Sequence, residues 1–156
     1  PTKNCFIPLA KRIVAGEAIG SFATPTNAFK RAFIQKPAIE HLAIRGNVIH
    51  IDGYGNLITN ITKADFERFG TGTPFTIKYL NKEYYIDEIN ETYNNVTMGE
   101  RVALFNSSEL LEIAINRGAN GSTGGANKLF GMRQGDPVHV EFTPKGSKED
   151  IVSLFD

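Results

Sequence analysis

The sequence predicts a mainly β domain, an antiparallel sandwich or barrel, preceded by one helix. From about residue 43 onward, short runs rich in β-branched and aromatic residues alternate with turns, whereas the first residues follow a helical period. With 156 residues, of which 41% are hydrophobic, the chain is long enough to bury a core. These observations indicate a globular protein rather than a disordered or fibrous one.

Near the start of the chain, six apolar residues recur at helical spacing: Phe6, Ile7, Leu9, Ala10, Ile13 and Val14. They predict a helix over about 5–15, with Asn4 as its cap and Gly16 just past its end. Pro8 falls in the first turn, where a missing backbone donor matters little. Cys5 is predicted to be a small buried residue on this helix.

Residues 17–36 contain Gly, Pro, Ser and Thr without a sustained period, which predicts a linker. The expected domains are therefore 1–42, the end of one domain and its linker, and 43–156, the β domain. The chain opens almost directly on an apolar segment without an initiator Met, so we interpret it as a continuation of a longer protein or a processed form.

Seven runs predict strands: RGNVIHID, NLITNIT, PFTIKYL, KEYYIDEI, ERVALFN, ELLEIAIN and DPVHVEFT. The run ELLEIAIN also fits a helix, but its neighbours favour a strand. Turns are expected at 53–55 and 81–82. A short helix is expected within TKADFERFG, capped by Thr62 and Asp65 and ended by Gly70.

The glycine-rich segment 117–131 predicts a flexible surface loop, because it lacks the spacing of a phosphate-binding loop. The final stretch KGSKEDIVSLFD is amphipathic and is expected either to dock or to fray.

Charge and cysteine content exclude several classes of function. Seventeen basic residues balance seventeen acidic ones, so no global positive field attracts a phosphate backbone. The apolar runs are far shorter than the roughly 20 residues that span a bilayer. One cysteine cannot form an intramolecular disulfide, and no secretory leader opens the chain. We therefore expect a cytoplasmic protein that binds neither nucleic acid nor membrane.

No metal or cofactor site is expected. His41, His50 and His139 are far apart in sequence, and no zinc-binding pattern surrounds them. No serine lies in a nucleophile elbow, and no motif around Cys5 marks it as a nucleophile.

The stretch IDGYGNLITNI contains the first candidate site residues, Asp52, Tyr54 and Asn56. A carboxylate here can accept local backbone N–H bonds or hold a cationic ligand group. An aromatic ring can stack on a nucleobase, and an amide offers it one donor and one acceptor. The same residue types are common in ordinary turns, so both interpretations stay open.

A second candidate segment begins at Tyr93, and the strand that follows ends in the polar cluster Asn106, Ser107 and Ser108. Hydroxyls and free backbone amides at a strand end suit a carboxylate or an amide-rich ring. The alternative is a polar turn in which Ser108 acts as a local cap.

These segments together resemble a known family. HIDGYGNLITNI, MGERVALFNSSELLEIAINRG and GMRQGDPVHVEF, in this order, are similar to the S-adenosylmethionine hydroxide adenosyltransferases, or SAM hydrolases, a family that also contains the enzymes making 5′-fluoro- and 5′-chloro-deoxyadenosine. KNCFIPLAKRIVAGEAI is similar to the last part of that family's N-terminal domain. The resemblance implies a C-terminal antiparallel β-barrel, a helical remnant of an N-terminal α/β domain, and a homotrimer whose substrate lies between the N-terminal domain of one subunit and the barrel of its neighbour.

The resemblance also implies roles for residues around the first motif. Asp52 matches the acid that binds the amino group of the methionine part. Tyr54 matches an aromatic residue, usually Phe, against the nucleoside, and Asn56 matches the residue that hydrogen-bonds the adenine edge. Tyr93 would provide the second stacking face for the purine.

Later in the chain, Ser107 and Ser108 match the pair beside the methionine carboxylate, and Asn116 and Arg117 fall where the family's backbone reads the adenine. Glu109 stands where the family often has Gly, and the glycine-rich run that follows is longer than usual.

The implied reaction is attack of water on the ribose 5′ carbon of S-adenosyl-L-methionine, giving adenosine and L-methionine. The family's water-activating residues belong to the N-terminal domain, so no catalytic residue is expected in this chain, which alone is expected to be inactive. The fluorinating branch has a Trp where this chain has Ile58, which favours water over halide as the nucleophile. The alternatives are a halogenase, a non-catalytic nucleotide- or RNA-binding barrel, and a structural trimerisation module.

Overall fold

The computed structural model describes residues 1–29, 35–70, 72–80, 84–118 and 124–143. The chain forms two compact units, Pro1–Phe33 and Ile34–Asp156. The predicted division into 1–42 and 43–156 stays a prediction, although residues 38–39 already form a strand that pairs within the second unit.

The first unit is helical. A π-helical turn, Thr2–Phe6, continues into helix α1, Ile7–Val14, and a 3-10 turn follows at Ile19–Ser21. Pro8 lies in the first turn of α1, as predicted. The prediction that Asn4 caps the helix is wrong, because the helical turn already contains Asn4 and no side-chain cap is formed.

Cys5 is exposed, so the prediction of a buried cysteine is also wrong. The physical reason is that none of the described residues of this unit is buried, so the apolar side of α1 has no core to pack on within its own unit.

The second unit contains the sheet. Among the described residues its strands are β1 (Ala38–Ile39), β2 (Ala43–Ile51), β3 (Leu57–Thr62), β4 (Phe75–Tyr79), β5 (Tyr85–Ile86), β6 (Arg101–Phe105), β7 (Leu110–Ile115) and β8 (Pro137–Phe142). They pair antiparallel in the order β5-β4-β8-β2-β3-β7-β6, with β1 also on β2. The result is a nearly closed barrel, which confirms the mainly β fold class and decides between the predicted sandwich and barrel.

Two strands show how packing decides what the pattern leaves open. The ambiguous run ELLEIAIN forms β7, which lies between β3 and β6 and is buried from Leu111 to Ile115. In the described part of the run KEYYIDEI, strand β5 covers Tyr85–Ile86 and ends before the exposed charged residues Asp87 and Glu88. The turn predicted at 81–82 lies outside the described residues.

The core fills the barrel and is closed by aromatic side chains around helix α2, Lys63–Glu67. Phe66 packs edge-on against Phe75 and Phe142 at ring-centroid distances of 4.7 and 5.0 Å. The predicted cap of α2 is confirmed, since the Thr62 hydroxyl accepts a hydrogen bond from the backbone N–H of Asp65. Such a cap stabilises a short helix by about 1 kcal/mol.

The prediction of a surface loop over 117–131 is wrong for its second half. Helix α3, Ala126–Phe130, buries Ala126 and Phe130, and Phe130 packs against Tyr79 at a centroid distance of 4.9 Å. The helix ends at Gly131, whose φ of 66° is left-handed. A helix this short shows too little apolar period to be identified from sequence. Residues 119–123 and the amphipathic C-terminal stretch lie outside the described residues.

Candidate functional site

A cavity of about 390 Å³ opens at one end of the barrel. The turn between β2 and β3, a 3-10 turn at Tyr93–Asn95 and the end of β7 meet there. Its lining residues are Asp52, Tyr54, Asn56, Tyr93, Asn94, Ile115, Asn116, Arg117 and Gly118. Six of the eight site residues indicated by the sequence resemblance therefore lie together, although they span more than sixty positions of the chain.

The Asp52 carboxylate holds the turn between β2 and β3. Its Oδ1 accepts the backbone N–H groups of Tyr54 and Asn56, both at 2.9 Å. Its Oδ2 accepts the Asn56 side-chain amide at 3.0 Å. The interpretation of Asp52 as a turn residue is therefore correct for its local contacts. These contacts also hold the carboxylate at the cavity wall, where a ligand can reach it.

The orientation of the Asn56 amide follows from Asp52. An ionised carboxylate only accepts hydrogen bonds, so the Asn56 atom that faces it is the amino nitrogen. The Asn56 Oδ1 is thereby left as the acceptor of this side chain at the cavity wall.

Helix α3 supports the turn from behind. The backbone N–H of Asn127 donates to the Gly55 carbonyl at 2.9 Å. Gly55 has a φ of 84°, and a Cβ added at Gly125 would collide with the carbonyl oxygen of Tyr54. The glycines at 55 and 125 thus allow the two backbones to approach closely. No local pattern in the sequence indicates this contact, because the glycines around position 125 also suit a loop.

Two tyrosine rings stand at the cavity and are available for stacking. Tyr54 is 71% exposed and Tyr93 is 40% exposed. Tyr93 begins a 3-10 turn that is closed by reciprocal hydrogen bonds between Thr92 and Asn95. Its hydroxyl donates to Glu112 Oε1 at 2.6 Å, which ties this ring to strand β7.

Sequence reasoning missed Glu112. Its residue exposure is only 3%, and its second oxygen accepts the Asn106 side-chain amide at 3.2 Å. Among the residues that the structure describes, no lysine or arginine forms an ion pair with it. The available signal was a carboxylate in the otherwise apolar run LLEIAI, which a half-buried alternating strand also explains.

Burial raises the pKa of the Tyr93 hydroxyl well above its usual value, and the hydrogen bond to Glu112 raises it further. The negative charges of Glu112 and Asp52 act in the same direction. Tyr93 therefore remains a protonated donor throughout the physiological pH range.

Ser107 and Ser108 lie elsewhere. Both are exposed in the turn between β6 and β7 and do not line the cavity. Asn106 Oδ1 accepts the backbone N–H groups of Ser108 and Leu110 at 3.0 and 3.2 Å, so Asn106 organises this turn. Glu109 has a φ of 58°, a conformation in which Gly would be less strained.

At the end of β7, Asn116 is buried and Arg117 is exposed. The Asn116 amide donates to the Val96 carbonyl at 2.8 Å, and its backbone N–H donates to the Glu100 carbonyl at 2.9 Å. These bonds fasten the segment that carries Tyr93 to the barrel. Arg117 adopts a φ of 55° where the chain leaves the strand.

Within the described ranges, no three His, Cys, Asp or Glu side chains cluster as they would to hold a metal ion. None of the helices in the part of the chain that the structure describes is long and apolar enough to cross a membrane.

The fold and the cavity define the class: an antiparallel barrel domain with an open cavity lined by aromatic, carboxylate and amide groups. The sequence model of the SAM hydroxide adenosyltransferase C-terminal domain matches residues 46–139, which is more than half of the chain. The chain belongs to this family, as its C-terminal part.

Several individual proteins are similar to this chain. The chain is 29% identical over 99 residues to the (R)-S-adenosyl-L-methionine hydrolase of Thermus thermophilus, covering 61% of this chain and 31% of that protein. It superposes on an uncharacterized conserved protein from Thermotoga maritima with a TM-score of 0.59 at 21% identity, over 87% of this chain and 50% of that one. A conserved hypothetical protein from Thermus thermophilus gives a TM-score of 0.49 at 24% identity, over 92% and 52%.

The Thermotoga structure supports the fold alone. The chain spans about a third of the length of the curated relative and about half that of the two solved structures.

Proposed function

We propose that this chain is the substrate-binding C-terminal part of an enzyme that hydrolyses S-adenosyl-L-methionine to adenosine and L-methionine. The observation that supports the proposal most is that Asp52, Tyr54, Asn56, Tyr93, Asn116 and Arg117 line one cavity in a chain of this family. In the proposed assembly, a homotrimer, the N-terminal domain of a neighbouring subunit completes the site.

The adenine ring lies against the exposed faces of Tyr54 and Tyr93 in this proposal. Aromatic contacts of this kind contribute about 1–3 kcal/mol per base. The side-chain amino group of Asn56 is already bound by Asp52. Asn56 Oδ1 therefore accepts a hydrogen bond from the exocyclic amino group of adenine.

The methionine part carries two positive charges, the sulfonium and the ammonium. Asp52 is the partner for the ammonium, and a charge-assisted hydrogen bond to a carboxylate is about twice as strong as a neutral one. Since Ser107 and Ser108 lie outside the cavity, they reach the substrate carboxylate only if the amino-acid end extends past the cavity toward the turn between β6 and β7.

In the reaction, a water oxygen forms a bond to the 5′ carbon while the bond from that carbon to sulfur breaks. The electron pair of the broken bond stays on sulfur, so methionine leaves as a neutral thioether, and the water gives up one proton. The leaving group is already activated by its charge, so the enzyme's contribution is to position and deprotonate the water. We assign the positioning and deprotonation of the water to the N-terminal domain of the neighbouring subunit. We assign substrate binding to this chain.

Chromatography of adenosine released from S-adenosyl-L-methionine by the complete protein tests the proposal. Both sulfonium epimers are offered, with and without fluoride or chloride, because the Thermus relative is named for the R epimer. We expect adenosine without halide, and at least tenfold less from Asp52→Ala and Asn56→Ala. The control is Asp87→Ala, an exposed carboxylate that does not line the cavity.

A 5′-halogenated deoxyadenosine as the product with halide, together with no adenosine without halide, would contradict hydrolysis and support the halogenase alternative. No product under any condition would leave the non-catalytic binding module as the better account. Full activity in both cavity variants would show that this cavity is not the substrate site.

A further inference from the structure

Glu112 connects two parts of the molecule that the proposed function treats separately. On one side it accepts the hydroxyl of Tyr93, a wall of the cavity, at 2.6 Å. On the other it accepts the amide of Asn106, the residue that organises the turn of Ser107 and Ser108, at 3.2 Å. Glu112 itself does not line the cavity.

The chemistry of the two neighbours favours a carboxylate. Asn106 cannot turn its oxygen toward Glu112, because that oxygen already accepts two backbone N–H groups of its own turn. Its amino group therefore faces Glu112, as does the donating hydroxyl of Tyr93. A carboxylate accepts both donors and strengthens both bonds with its charge. A glutamine is neutral and offers one acceptor and one donor, so it keeps both bonds only if the Tyr93 hydroxyl turns round and accepts.

Burial of this acid is costly unless both oxygens are bonded. Glu112 lies on the face of β7 opposite to the core residues Leu111 and Ile113. Its cross-strand partners Ile58 and Leu104 are apolar, so an apolar residue would suit this face of the sheet equally well. The contacts that an apolar residue could not make are the bonds to Tyr93 and Asn106. Tyr93 lies in a segment whose neighbours Asn94 and Asn95 are exposed, and the Glu112 bond anchors its ring to the sheet.

We infer that Glu112 is a positioning residue: it holds the Tyr93 ring as one wall of the substrate cavity and couples that wall to the Asn106–Ser108 turn. The inference rests on the proposed function of the cavity. Glu112 acts through Tyr93 and does not contact substrate.

Steady-state kinetics of the complete protein test this inference, with Glu112→Gln, Tyr93→Phe and the double variant beside the wild type. Glu112→Gln is expected to raise KM for S-adenosyl-L-methionine about tenfold and to change kcat less than about twofold. The reason is that a misplaced stacking wall weakens ground state and transition state equally. Tyr93→Phe is expected to raise KM about threefold.

The double variant is expected to bind no worse than Glu112→Gln alone. Without the Tyr93 hydroxyl, only the bond to Asn106 remains to be made, and the glutamine oxygen can accept it. The two substitutions would therefore be non-additive, as expected for groups in one hydrogen-bond network. Glu88→Gln, at an exposed position outside the cavity, is the matched control and should keep wild-type KM.

The outcomes separate this inference from the proposed function. Wild-type KM in Glu112→Gln, additive effects in the double variant, or a lower melting temperature with unchanged KM would each overturn the positioning role while the proposed function stands. Wild-type protein that releases no adenosine would overturn the proposed function and this inference with it.

Discussion

At the scale of single residues, Asp52 serves two purposes with one carboxylate. Three hydrogen bonds from its own turn hold it in place, and the same bonds orient the amide of Asn56. As the proposed partner of the substrate ammonium, a carboxylate fixed in this way loses little conformational entropy when a ligand arrives. Residues 52–56 therefore form a turn and also part of the candidate site, because the turn places Asp52 and Asn56 at the cavity.

Tyr79 illustrates the opposite case, a polar group without a partner. It is 2% exposed, and among the described residues its hydroxyl has no hydrogen-bond partner. Burial raises the pKa of Tyr79 to about 12, and the positive charge of Arg101 offsets part of that rise. The folded state thus keeps the Tyr79 proton in a pH range where an unfolded tyrosine, with a pKa near 10, loses it.

The stability of the fold should therefore fall as the pH rises above about 10, since the unfolded chain gains by ionising. Tyr79→Phe has no such proton, so its free energy of unfolding should equal that of the wild type at pH 7. Between pH 7 and pH 11 that free energy should fall by about 1 kcal/mol less than in the wild type. Urea unfolding at several pH values measures this. Tyr85→Phe, in the neighbouring strand but exposed, is the control, and equal alkaline losses in both variants would contradict the account.

At the scale of elements, the contact between the turn after β2 and helix α3 sets the shape of the cavity. A Cβ at Gly125 would lie 2.7 Å from the Gly55 Cα and would also collide with the Tyr54 carbonyl. Both obstacles are backbone atoms, which cannot move aside as a flexible side chain would.

Gly125→Ala is therefore expected to reduce the unfolding free energy by about 1–3 kcal/mol and to weaken substrate binding. The backbone of Gly125 is extended, so the cost would come from crowding rather than from strain. Gly53→Ala in the same turn has open space around its added Cβ and should behave like wild type. Urea midpoints and KM values for the two variants provide the comparison, and equal behaviour would show that the turn does not depend on α3.

Elements whose residues carry a local signal could be predicted from the sequence. Alternation identifies most strands, and the Thr62–Asp65 spacing identifies the cap of α2. Helix α3 and the buried Glu112 were missed because their reasons are long-range: α3 is defined by what it packs on, and Glu112 by donors that come from residues 93 and 106. The resemblance named six cavity residues, whereas Ser107 and Ser108 lie outside the cavity.

At the scale of the whole molecule, the chain corresponds to one part of its longer relatives. It spans about a third of the curated hydrolase that it resembles, and its cavity is open. The cavity's aromatic, amide and carboxylate groups suit a nucleoside and a cationic amino acid, while a cavity open to solvent does not by itself position one water for attack. An enclosing domain from a neighbouring subunit is what the proposed mechanism adds.

The most direct test of the central claim is a crystal structure of the complete protein with adenosine and L-methionine bound. The account predicts the purine between the Tyr54 and Tyr93 rings, its amino group on Asn56 Oδ1, and the methionine ammonium on Asp52, with a neighbouring subunit covering the cavity. Adenosine bound elsewhere while this cavity stays open would contradict the assignment of the site and leave the family membership and the fold unchanged.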